Sequence, residues 1–414
     1  MMSFNIRLRE LVCAVWCFLA WFHIPIYTRD GDTIGVYDLF LLCLIPFWAA
    51  ASISKIARIN LRSPRTFPVM AYLLFLACVG FSIVLNLDRV IWPFGFLLYL
   101  KQFEYLFAVL ISIWLFQNVE EHVTRRCIAW SALAMTLASV AVFLHEHDWN
   151  MRLPFTRSGS GAVLGATCFS TILFLLFGRA PREKAYWPVI GMLFICGLFS
   201  MGRTQVIAFV VAGISWGMTL AAKRGSRVWI LAFAGIALGA TYITLMTLNP
   251  FHINWYDNDP LRFLYAPQLL TQDESFRLRI ESVWMQSLPA WTSSAGSILF
   301  GAGFGSQRYV DGLYFDLLFT TGIAGMLLYA AFHLAVFNCL KNYGYLVVFW
   351  LTTSITNELL LNSYRYIQIA ALVIAWLWLH RNRYPVPVSR AALPRALSIE
   401  RPPSQLVEGA PGNA

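Results

Sequence analysis

Apolar residues in this chain are gathered into blocks of about twenty, and no other feature limits its possible folds so severely. A helix of that length crosses a hydrocarbon core of about 30 Å. Charged residues make up only 13% of the chain against 58% hydrophobic, about half of the roughly 25% charge of a water-soluble domain. The sequence therefore predicts an all-α polytopic integral membrane protein. Twelve spans can be drawn, at 9–27, 34–54, 67–86, 96–117, 127–145, 161–178, 186–200, 204–222, 228–248, 312–336, 343–361 and 364–380. Residues 1–380 form a single transmembrane domain, interrupted between the ninth and tenth spans by one long polar loop, 249–311. No internal repeat is visible. The tail 381–414, rich in Pro, Arg and Ala and without an apolar stripe, reads as a disordered extension.

Cysteines and charge narrow the class further. All eight cysteines fall in or beside apolar blocks, which does not describe an extracellular disulfide framework. The first apolar block follows Arg7 and Arg9 and lacks a small-residue cleavage site, so it reads as a retained anchor. The net charge of +10 is spread unevenly between alternate loops rather than gathered into a nucleic-acid face. Twenty Lys and Arg residues fall on the side of the N-terminus and tail, and ten on the other, although the second side has the longer loops. By the positive-inside rule both termini are cytoplasmic and the loop 249–311 is external.

Arginines on the sparse side are the informative exceptions. Arg203 sits in a tight SMGRTQ hairpin between two spans. It reads either as a snorkelling loop residue or as a phosphate clamp, since guanidinium binds phosphate oxygens in bidentate fashion. Arg277 and Arg279 lie among Phe276, Ile280, Val283, Trp284 and Leu288 at helical spacing, an amphipathic helix at the membrane surface. There they form a solvated face or, taken with Arg203 and Arg365 on the same side, an anion site. A glycine-spaced stretch, LFGAGFGS, follows and reads as a flexible turn. Asp311 then opens the tenth span, with Tyr314 and Asp316 close behind. Asp311 is either a helix-dipole partner or a general base at the membrane boundary. Asp316 lies deeper and needs a partner, which Glu358 or Arg365, flanked by Asn357 and Asn362, can supply. Lys101 and Glu104, three apart in the fourth span, read as a mutually neutralising pair.

In the order and placement of these features the chain resembles the O-antigen ligase and polymerase family, integral membrane glycosyltransferases that act on polyprenyl-diphosphate-linked glycans. The matching residues are Ser200 and Arg203, then Arg277 or Arg279 with Trp284, then Gly301, Gly303 and Gly305, then Gly322 and Gly325, within roughly 195–335. The resemblance implies cofactor-free and metal-free chemistry, with arginines holding the diphosphate. Taken together with the reading of the residues, this makes Asp311, Arg203 and Arg279 the expected catalytic residues, and Arg277, Trp284, Tyr314, Arg365 and Asp316 the expected substrate-binding ones. The implied partners are a polyprenyl-diphosphate-linked oligosaccharide and membrane lipid, with a chain-length regulator and a flippase as companions and no nucleic acid. Ligases of the family carry His-Asn at the helix mouth where this chain has Asp311-Gly312. That departure favours the polymerase branch, extending exopolysaccharide or O-antigen repeats outside the inner membrane, over a ligase transferring glycan to lipid A core.

Two rivals stand beside this reading. Asp30 and Asp32, or Asp257 and Asp259, are Asp-x-Asp pairs that serve as ordinary turns or as ligands of a metal-dependent polyprenyl-phosphate-sugar enzyme. A glycan carrier is the rival from another class. The long external loop and the missing repeat speak against it.

Overall fold

The computed structural model describes residues 8–22, 24–29, 32–56, 66–146, 161–177, 184–200, 203–224, 279–306, 312–340, 343–355 and 364–380. The expected ninth span and most of the long loop lie outside these residues. The N-terminal part runs α1 (Leu8–Trp21), β1 (Pro25–Arg29), β2 (Asp32–Gly35), α2 (Val36–Ile56), α3 (Phe67–Leu85) and α4 (Phe94–Phe116). It continues with α5 (Glu121–Glu146), α6 (Gly161–Phe177), α7 (Tyr186–Phe199) and α8 (Arg203–Arg224). After the long loop come a π-helical turn (Arg279–Trp284), α9 (Met285–Thr292) and α10 (Ala295–Phe300). The last three helices are α11 (Leu313–Leu340), α12 (Gly344–Thr353) and α13 (Tyr364–His380).

Among the described residues four helices, Phe67–Leu85, Phe94–Phe116, Glu121–His145 and Leu313–Leu340, are long and apolar enough to cross a membrane. Shorter apolar helices such as Val36–Ser52, Val163–Leu176 and Tyr366–His380 pack among them. Leu42, Phe47, Val84, Leu327 and Leu334 are each at least 60% exposed, an outer surface suited to hydrocarbon rather than water. These are the features of a helical membrane protein. Helix α13, like α6, is almost wholly enclosed among the described residues. Its Tyr366, Ile369, Leu372, Val373, Ala375, Trp376 and Leu377 are all 0% exposed, the pattern of a helix that is apolar all round. It packs along α4 and also touches α1 and α6, while α3 packs along α11 and α8 along α12.

Two boundaries differ from the expected spans for readable reasons. The first two spans were drawn as 9–27 and 34–54, but their facing ends form a β-hairpin with Arg29 opposite Asp32. Pro25 cannot continue a helix, and the β-branched Ile26, Thr28, Thr33 and Ile34 favour extended backbone. Among the described residues this hairpin is the one extended element in an otherwise helical protein. The fifth span, drawn from 127, begins at Glu121. Its added charged turn is held inside the protein, with Glu121 3.6 Å from His380 and 4.0 Å from Arg125, so hydropathy alone could not place it.

Candidate functional site

The glycine-spaced stretch is not a flexible turn. Residues 301–305 are buried and wedged between the α3–α4 connection and a break in α11. Gly301, Gly303 and Gly305 have φ of 83°, 109° and 79°, conformations that side-chain-bearing residues rarely adopt. A Cβ on Gly305 would run into the backbone of Gly95, so the two glycines let the segments touch. The Asn86 amide donates to the Gly301 carbonyl at 3.3 Å, and the Ile91 amide to the Gly305 carbonyl at 3.1 Å.

The break in α11 falls at Gly322, with φ 69° and ψ −170°. Such a break deprives the preceding carbonyls of their usual partners four residues on. Neighbours supply them. The Ala302 amide donates to the Phe319 carbonyl at 2.7 Å, and the Ser82 hydroxyl to the Thr320 carbonyl at 2.7 Å. A discontinuous helix is tolerated inside a membrane protein only when the freed groups are paired in this way. The glycine stretch is therefore the cap of a half-helix, Leu313–Thr321.

The polar segment upstream is tied to the same half-helix by aromatic contact. Trp284, the last residue of the π-helical turn, stacks on Phe315 with ring centroids 3.9 Å apart and planes 20° apart. Trp291 meets Phe319 edge-on at 6.1 Å. The amphipathic helix expected over 276–288 is thus a π turn running into α9, its Arg279 five residues before the docking tryptophan. Arg89, from the α3–α4 connection, places its guanidinium 3.4 Å from the Ser293 hydroxyl between α9 and α10. Nothing in the sequence around Arg89 gives it a role, because only the fold brings that connection to this segment.

Other helix ends gather here. The Leu313 amide donates to the Ser354 carbonyl at 3.0 Å, and the Tyr314 hydroxyl to the Leu351 carbonyl at 2.8 Å. Both bonds fasten the start of α11 to the end of α12. Next along α12, Trp350 neighbours the Tyr366 hydroxyl near the start of α13, as does Ser170 of α6, and neither contact closes a hydrogen bond of good geometry. Gly165 of α6 faces Ser200 and Gln205, on either side of the hairpin that opens α8. Positions 165 and 170 are about 7.5 Å apart along a helix. The starts of α8, α11 and α13 therefore share one end of the bundle.

Measured against the expected site, Trp284 and Tyr314 are brought together at the α11 start, but the Tyr314 hydroxyl is committed to a backbone carbonyl. Asp316 is 3% exposed in the first turn of α11, too enclosed to be a surface residue. Arg203 and Arg279 are the first residues of their helical segments and Arg365 is the second of α13. Their side chains, and Arg277, Asp311, Asn357, Glu358 and Asn362 altogether, lie outside the described residues. So do Asp257 and Asp259. Among the described residues no group of three His, Cys, Asp or Glu side chains is placed to hold a metal ion.

The pair Lys101 and Glu104 is present and larger than expected. Lys101 Nζ is 2.8 Å from Glu104 and 2.9 Å from Asp38 of α2, and the Gln368 amide of α13 reaches both carboxylates. The sequence pattern gave the i,i+3 pair but had no means of bringing residues 38 and 368 to it. Set against family models and against curated protein sequences, the chain matches none.

Proposed function

We propose that this protein is a polysaccharide polymerase that joins polyprenyl-diphosphate-linked oligosaccharide repeat units at the periplasmic face of the inner membrane. In this reading twelve spans cross the bilayer with both termini cytoplasmic, and the loop 249–311 is periplasmic. The observation that carries it is the gathering of helix starts just described. The segments that begin at Arg203 and Arg279, and the helix whose second residue is Arg365, come to one end of an apolar bundle, beside a broken helix capped by a glycine stretch. Breaking an anomeric C–O bond to a polyprenyl diphosphate builds negative charge on the leaving group. Cations fixed in a poorly hydrated place stabilise that charge without reorganisation. The lipid tail stays among the apolar helices while the glycan lies in the polar loop. Asp311 takes the proton of the acceptor hydroxyl as general base, and Trp284 and Asp316 shape the sugar side of the site.

The test is incubation of the purified protein with a synthetic polyprenyl-diphosphate oligosaccharide and resolution of the products on a gel. A ladder spaced by whole repeat units is the expected result. Transfer of glycan only to lipid A core would replace the polymerase with a ligase. Passage of the lipid-linked glycan across a liposome membrane without lengthening would make the protein a carrier.

A further inference from the structure

We infer that Asp38, Glu104 and Gln368, clamped by Lys101, form an interior binding site for a small monovalent metal cation. The inference is independent of the polymerase reading. It begins with charge. Among the described residues the cluster holds two carboxyl groups and one ammonium; Asp38 and Glu104 meet Lys101, the Gln368 amide and the Gly35 amide, and they also lie against one another. With both carboxyls ionised, one negative charge is left over inside a bundle of apolar helices, and two carboxylates in contact call for a cation, metal or proton, between them. Amide donors solvate that charge without neutralising it, and an uncompensated interior charge is strongly disfavoured.

The hydrogen-bond geometry says where the missing charge belongs. Lys101 occupies Asp38 Oδ2 and Glu104 Oε2, which leaves Asp38 Oδ1 and Glu104 Oε1 facing Gln368. The amide nitrogen reaches them at only 3.5 and 3.2 Å, longer than the roughly 2.9 Å of a bond to a charged acceptor. The amide oxygen Oε1 of the same side chain has no hydrogen-bond partner, although Gln368 is 1% exposed. The Tyr37 hydroxyl, also 1% exposed and within the field of Glu104 and Asp38, is likewise unpartnered.

Turning the Gln368 amide by half a revolution exchanges its oxygen and nitrogen at no steric cost. Three oxygens then converge on one point: Asp38 Oδ1, Glu104 Oε1 and Gln368 Oε1. Oxygen-only ligation suits a hard cation. A single positive charge brings the cluster to neutrality, whereas a divalent ion would overshoot it. The side chains of Lys101, Asp38 and Glu104 are 20%, 10% and 10% exposed, so an ion can enter without unfolding the bundle.

The experiment measures the thermal unfolding midpoint of the purified full chain in detergent, at constant ionic strength, in sodium, potassium or choline chloride. Sodium or potassium should raise the midpoint by about 2 °C or more over choline, saturating with concentration. Glu104→Gln removes the surplus charge while keeping the shape, and should abolish the difference between salts. Gln368→Leu, which removes one ligand and no charge, should abolish it too and serves if Glu104→Gln does not fold. Glu120→Gln, at an exposed carboxylate, should keep the difference. Equal midpoints in all three salts overturn the proposal and leave a carboxylate-bound proton as the balancing charge. A salt difference that survives both Glu104→Gln and Gln368→Leu overturns it as well.

Discussion

Individual side chains test the proposed site most directly. Arg203→Ala and Arg279→Ala should each abolish polymer while leaving single lipid-linked units, read as the collapse of a gel ladder to one band. A ladder of normal length from both variants would remove the arginine mechanism. Trp284 acts differently, through its stack on Phe315 at 3.9 Å. Such aromatic pairs are worth about 0.5–1.5 kcal/mol beyond the area they bury. Trp284→Ala should therefore lower polymer yield more than it lowers the unfolding midpoint, and Trp284→Phe should recover most of the loss. Both types of residue could be picked out from sequence because their chemistry is conspicuous: an arginine in a short polar connection between apolar blocks, a tryptophan before a glycine run. The commitment of the Tyr314 hydroxyl to the Leu351 carbonyl left no such mark, since nothing local tells residue 314 that residue 351 will lie beside it.

At the scale of elements, the broken helix and its glycine cap should fail together. Gly305 has φ 79° and abuts the backbone of Gly95, so Gly305→Ala meets both strain and a clash. Strain alone costs about 1–3 kcal/mol, and the expected outcome is a large loss of folded protein by size-exclusion chromatography. Gly191→Ala is the control. Nothing lies within 4 Å of the added methyl, and a helical alanine is favoured over glycine by up to about 1 kcal/mol, so its midpoint should hold or rise. The buried triad gives a second element-level prediction. Lys101→Met leaves Asp38 and Glu104 facing each other without their ammonium, and removing one partner of a buried pair costs about 3–5 kcal/mol. Its unfolding midpoint should fall steeply, and replacing all three charged residues with apolar ones should recover much of the loss.

For the whole molecule, the prediction concerns chelation. Polymerisation driven by fixed arginines should be indifferent to EDTA, which does not sequester monovalent ions. Activity that disappears on chelation and returns with magnesium or manganese would move the chemistry to the Asp-x-Asp pairs at Asp30 and Asp32 or at Asp257 and Asp259.

Blocks of about twenty apolar residues, with charge confined between them, determined from sequence alone that this is a helical membrane protein, because the thickness of a bilayer is a one-dimensional constraint that a linear pattern can satisfy. The same pattern misplaced the end of α1 and the start of α5, where a hairpin and a charged turn are held by contacts rather than by hydropathy. Tertiary structure alone decided that LFGAGFGS is a buried cap, that α11 breaks at Gly322, and that Asp38 and Gln368 join Lys101 and Glu104. Each depends on residues tens to hundreds of positions apart: Ser82 with Thr320, Gly95 with Gly305, Asp38 with Gln368. Periodicity records which face of a helix is apolar. It does not record which helix will stand opposite, and that choice is made by the packing of the whole bundle.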